Sequence, residues 1–104
     1  MAALPAAVNV VSKRGLVELS EDQPEAMEEA IAWYRVARAA DWRSLADVRK
    51  DCPSADRIGH VLVFNLRHNR YRLIVRSAFQ IRTLFVKALP TDKEYDREEW
   101  KKWA

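Results

Sequence analysis

Two alternating runs, Val61 to Leu66 and Tyr71 to Arg76, flank a short polar break, and a two-residue turn at His68 and Asn69 would set the pairing of both. Arg67 then faces Arg70, Leu66 pairs with Tyr71, Phe64 with Leu73 and Leu62 with Val75. One face of this ribbon is wholly apolar and needs helices to cover it. The other pairs Asn65 with Arg72, Val63 with Ile74 and Val61 with Arg76, which puts cations on the exposed side. Arg67 opposite Arg70, with Arg72 and Arg76 nearby, is unfavourable unless an anion binds, because like charges facing each other across a sheet repel. The wider stretch from Arg57 to Lys87 carries seven Lys or Arg and no Asp or Glu, although the chain holds fifteen acids elsewhere. A basic, acid-free sheet beside hydrophobic residues is the electrostatic footprint of a polyanion binder, and RNA is the leading candidate.

The 104 residues are enough for one domain, 1–104, with 1–7 as a flexible tail. With 49% hydrophobic and 32% charged residues, the composition is that of an ordinary folded protein rather than a disordered or membrane-bound one. The net charge of +3 averages a basic middle against acidic flanks, so the local charge carries the information. Cys52 stands alone, which excludes an intramolecular disulfide and fits a cytoplasmic protein. Beside Pro53 it reads as a small buried hydrophobe, not a nucleophile. No glycine-rich phosphate loop, metal-ligand cluster or repeat appears, so no metal, no cofactor and no membrane partner are expected.

Around the hairpin, Val8 to Ser12 reads as a first strand, followed by a helix from about Lys13 that stops near Ser20 to Gln23. Asp22 and Pro24 supply an N-cap and a first-turn proline for a second helix to about Ala40. Its apolar stripe is Met27, Ala30, Ile31, Tyr34 and Ala37, with Glu25, Glu28, Glu29, Arg35 and Arg38 facing water. Ser44 and Asp47 form a capping box for a short helix ending before Pro53. A third hairpin-side strand spans about Ile81 to Ala88 with its parity open. If Leu84 and Val86 point to the core, then Thr83, Phe85 and Lys87 join the cationic face, where Phe85 can stack on a base. Thr91 and Glu94 make a capping box for a terminal helix through Trp100, and Trp100 with Trp103 reads as a docking edge.

This order of elements resembles the RelE/ParE superfamily of bacterial toxins, and its HigB-type branch most closely. The residues that carry the resemblance are Ala40-Asp41-Trp42 with Ser44, Asp47 and Val48, Pro53-Ser54-Ala55-Asp56, Val63-Phe64-Asn65, Asn69 to Val75, and Glu94-Tyr95-Asp96. The fold class implied is α+β and RelE-like: an N-terminal strand and two helices on one face of a mainly antiparallel sheet, with a short C-terminal helix.

The function implied is a type II toxin that cleaves mRNA, usually on the ribosome, and is silenced by a HigA-type helix-turn-helix antitoxin. Small and without a metal site, such an enzyme would let a ribose 2′-OH attack the adjacent phosphate while fixed cations stabilise the phosphoryl oxygens. Its expected catalytic residues are Arg72, Lys87, Asp92 and Tyr95, with Arg67, Arg70, Arg76 and Lys93 holding phosphates. Three departures from the family pattern bear on the active site: Lys87 replaces an Arg, Pro90 a Gly and Asp92 a His; His68 for Gly and His60 for Asn are two more. The change at Asp92 removes the side chain best suited to proton transfer near neutral pH. The alternative is therefore a catalytically weak relative that binds RNA, the ribosome or the antitoxin without cutting, and a gyrase poison of the same fold is a third reading.

Overall fold

A computed structural model describes residues 9–11, 16, 21, 23–40, 42–66, 70–81 and 83–104. The expected first helix lies largely outside them, and so does the hairpin turn with Arg67, His68 and Asn69. Five strands form one sheet: β1 (Asn9–Val11), β2 (Asp56–Ile58), β3 (Val61–Leu66), β4 (Tyr71–Ala78) and β5 (Thr83–Ala88), in the order β1-β5-β4-β3-β2. β1 runs parallel to β5 and every other pairing is antiparallel. Helices α1 (Pro24–Ala39) and α2 (Leu45–Asp51) precede β2, and the short α3 (Asp92–Tyr95) follows β5.

The β3–β4 register is the one the alternation requires, from Leu66 opposite Tyr71 through Asn65 opposite Arg72 to Val61 opposite Arg76. Leu62, Phe64, Leu66, Leu73 and Val75 are buried beneath the helices, where the period-2 pattern puts them. Phe64 lies between Trp33, with ring centroids 5.1 Å apart, and Trp42, stacked at 5.9 Å. Trp42 also donates its indole N–H to Asp51 Oδ2 at 2.8 Å, tying the segment before α2 to the helix's last residue.

α1 starts at Pro24, whose missing N–H is no loss in a first turn, but its N-cap is Gln23 rather than Asp22 and makes no side-chain cap bond. Its buried face is Ala26, Ala30, Trp33, Tyr34 and Ala37, while Met27 and Ile31 are only half-buried. The face is turned from the expected stripe because the three alanines let the helix approach the sheet closely while Trp33 reaches Phe64. At α2, Ser44 Oγ accepts from the Asp47 N–H at 3.4 Å, but the Asp47 carboxylate accepts from the Arg43 N–H at 3.1 Å. Only half of the expected capping box forms.

The sheet's second face is not an open cationic surface. Val61, Val63 and Ile74 are buried there against Trp100, with Ile58, Ala88, Tyr95 and Trp103 packed around them. Three large aliphatic side chains on a solvent face would leave apolar area in water, and the C-terminal segment removes it. The expected single helix through Trp100 is broken to allow this: α3 ends at Tyr95, Glu98 adopts φ 61°, and a 3-10 helix runs Glu99–Trp103. Trp100 is only 5% exposed, so it is core and not a docking edge. Its indole donates to the Tyr95 carbonyl at 3.0 Å, and the two rings stack at 5.1 Å. The Thr91–Glu94 capping box forms in full.

Leu84 and Val86 join the helix-side core, which settles the parity of β5. Ile81 lies in a 3-10 turn (Phe79–Ile81) and is 67% exposed, so the strand starts two residues later than expected. Along β5, Val86 pairs with Val75 but Ala88 pairs with Ile74, so Lys87 is the extra residue of a β-bulge.

Candidate active site

Arg72 lies on the second face near the start of β4. β4 presents it beside Asn65 of β3, and the adjoining chain is fixed by a short backbone ladder. The Arg72 N–H donates to the Pro90 carbonyl at 2.9 Å and the Asp92 N–H to the Arg70 carbonyl at 2.8 Å. This ladder brings the first turn of α3 up against the guanidinium. Arg72 Nη1 donates to Asn65 Oδ1 at 2.7 Å, and Nη2 meets Asp92 Oδ1 at 2.9 Å. The guanidinium carbon stands 5.1 Å from the centroid of the Tyr95 ring. Planar, always charged and seated over an aromatic ring, an arginine so held is pre-organised for phosphate oxygens in a way a lysine is not.

Three of the four expected catalytic residues, Arg72, Asp92 and Tyr95, are thus in one cluster. The fourth, Lys87, projects from the bulge with its ammonium 5.7 Å from the Phe85 ring centroid. Among the expected RNA-holding cations, Arg70 is exposed and lies 4.0 Å from Glu25 Oε2. Arg76 is half-buried, with Val61 and Phe85 as its strand neighbours. Lys93 is exposed on α3, and Arg67 lies outside the described residues.

The premise of unneutralised cations therefore needs correction. Arg72 and Arg70 both have acidic partners, because α1 and α3 deliver Glu25 and Asp92 from outside the acid-free stretch. Arg72 is the one that requires a partner: its side chain is 15% exposed, and a guanidinium that far from water is costly unless paired. Arg76, Lys87 and Lys93 have no acidic partner among the described residues.

Two positions outside the expected set matter. Asn65 holds the guanidinium through its carbonyl while its amide donates to the Ser54 carbonyl at 3.3 Å, which defines the amide's orientation. Its pairing with Arg72 was legible in the hairpin register. Trp100 stacks on the Tyr95 ring, and only the tertiary fold brings it there. Burial pushes the Tyr95 hydroxyl above its ordinary value of 10.0; Asp56 and Asp96 add to the rise, and Arg72 and Lys101 oppose it. Near neutral pH Tyr95 is therefore a hydrogen-bond donor, not a phenolate base. Burial, with the Asp51 charge, likewise raises the Cys52 thiol, which removes it as a nucleophile. Glu94 is held ionised chiefly by the Thr91 N–H and by the Thr91 hydroxyl, as its capping role requires. No group of three or more metal-ligating side chains occurs among the described residues. No described helix is long and apolar enough to cross a membrane.

A mainly antiparallel five-stranded sheet with two helices on one face and a short C-terminal helix is an α+β fold of the RelE-like kind. A profile of the HigB_toxin family, the RelE-like toxic component of a toxin–antitoxin system, matches residues 26–98. That is well over half of the chain, and the protein belongs to this family. It is a toxin whose partner is an antitoxin. The match takes in Asn65, Arg72, Lys87, Asp92 and Tyr95 and stops short of Trp100. No curated protein matches the chain.

Proposed function

We propose that this toxin is an endoribonuclease that cuts mRNA on the ribosome without a metal. A ribose 2′-OH attacks the adjacent phosphorus in line: the 2′-O–P bond forms and the P–O5′ bond breaks, the proton that the 2′-OH gives up to water is matched by one that the departing 5′-oxygen takes from water, and the products are a 2′,3′-cyclic phosphate and a 5′-hydroxyl. Arg72 neutralises charge gathering on the phosphoryl oxygens, and Lys87, aimed by its bulge, supplies a second cation. Tyr95 donates its hydroxyl or stacks on a base, with Asp92 beside both. Arg67, Arg70, Arg76 and Lys93 hold neighbouring phosphates and position the strand without reading it. A HigA-type helix-turn-helix antitoxin is the proposed silencer, and the cytoplasm the proposed site of action.

The observation that carries this is Arg72, held in plane by Asn65 on the face of Tyr95. Purified toxin added to a translating extract should generate new mRNA 5′ ends, mapped by primer extension, and Arg72→Ala should abolish them. Intact message with the wild type would end this reading.

A second reading, binding to RNA, the ribosome or the antitoxin without cutting, is favoured by one fact: the acid at the family's histidine position is engaged with Arg72. If Asp92→His brings no gain in cleavage while RNA binding stays strong, the second reading wins.

A further inference from the structure

We infer that the Arg72–Asp92 contact marks a phosphodiester subsite, with the Asp92 carboxylate occupying the position that one RNA phosphate takes on binding. This rests on the reading of the protein as an RNA-directed toxin and deepens it by naming the subsite and what fills it.

The two ends of the guanidinium are held differently. Nη1 is fixed to Asn65, a neutral amide that is itself anchored to the Ser54 carbonyl. Nη2 is held by Asp92, whose side chain is 55% exposed against 15% for Arg72. Of the two partners, the one nearer to water is therefore the carboxylate. A carboxylate oxygen and a phosphate oxygen accept from a guanidinium in the same geometry, so an incoming phosphodiester can take over the Nη2 bond without disturbing Asn65. The exchange needs no movement of the main chain, because the Asp92 and Arg72 backbones are tied by the Arg70 and Pro90 carbonyls. A rotation of the Asp92 side chain toward water suffices. The Tyr95 ring, 5.1 Å from the guanidinium carbon, keeps the fork in its plane while the partners change. The arrangement also accounts for the pairing of this largely buried arginine: the chain supplies its own anion until the substrate brings one. Asn65 is then a positioning residue, and Asp92 a competitor that sets the affinity of the subsite.

The test uses a 2′-O-methyl RNA oligonucleotide, which keeps its phosphates and cannot be cut, with dissociation constants read by fluorescence anisotropy. Four proteins are compared: wild type, Asp92→Asn, Arg72→Gln and the double variant. Removing the competing charge should tighten binding roughly 1.5- to fivefold, the range set by an exposed ion pair. In the Arg72→Gln background the same change should bring little gain, because the subsite is gone. Asp92→Ser, which keeps a helix-compatible first turn, should tighten binding like Asp92→Asn and guards against a folding defect in either. Equal or weaker binding by both Asp92 variants would overturn the exchange. An equal gain with and without Arg72 would overturn it as well, reducing Asp92 to bulk charge. If none of the proteins binds the oligonucleotide, Arg72 does not form a subsite for a free phosphodiester and this inference falls, whereas the proposed function falls only if the translating extract also leaves its message intact.

Discussion

Truncating Trp100 to alanine should cost this toxin about 3–5 kcal/mol of stability, the range for a buried Trp or Phe lost from a core. Trp100 is 5% exposed and covers Val61, Val63 and Ile74. A tryptophan of that burial removes about 200 Å² from water, worth about 5 kcal/mol at roughly 25 cal/mol per Å². A compact denatured state lowers that figure, and loss of the Tyr95 stacking raises it again by about 1 kcal/mol. Against a typical net stability of about 5–15 kcal/mol, this is a large fraction. Urea unfolding followed by tryptophan fluorescence and far-UV circular dichroism measures it, with Trp100→Phe as the partner variant. The phenylalanine keeps most of the area but loses the indole bond to the Tyr95 carbonyl, and should cost only about 1–2 kcal/mol. A loss below about 1 kcal/mol for the alanine variant would mean that the C-terminal segment does not cover the sheet, and the closed second face would be wrong.

Asn65→Ala should lower mRNA cleavage at least tenfold while shifting the urea midpoint only slightly, because it frees the guanidinium to leave its plane; single-turnover assays on a translating extract would show it. Gly59→Ala should lower the melting temperature by roughly 4–8 °C, about 1 kcal/mol at this size, as differential scanning calorimetry can read. The glycine has φ +59°, and an added Cβ would come within 2.8 Å of the Ala104 carbonyl carbon. Because the Tyr95 hydroxyl is raised in the fold, its contribution to stability is fully present below the unfolded value near 10 and is lost as pH rises through the folded value. Unfolding free energies measured from pH 9 to 12 should fall more steeply for the wild type than for Tyr95→Phe.

The hairpin was legible because alternation and turn length each allow one register: a slip by one residue would turn Phe64 and Leu73 away from the helices. The bounds of α1 and the cap of α3 were legible for the same kind of local reason, a proline at a first helical position and a Thr-x-x-Glu box. β5 was not. Both its faces carry apolar residues, so parity depended on which face the helices cover, and the bulge at Lys87 depends on how β4 and β5 twist past one another. Trp100 and Trp103, three residues apart, look helical in any local window, yet Glu98 breaks the helix because the second face needs a cover.

Charge divides in the same way. The chain's own order of residues determined that cations gather on one sheet face beside Asn65, since strand periodicity acts over a few residues and cannot be escaped once the register is set. Whether those cations stand bare was decided only in three dimensions, where Asp92, twenty residues along from Arg72, and Glu25, on α1, are carried to them. Coulombic pairing depends on distance through space, and the count of acids along a strand says nothing about the acids that helices bring to its surface.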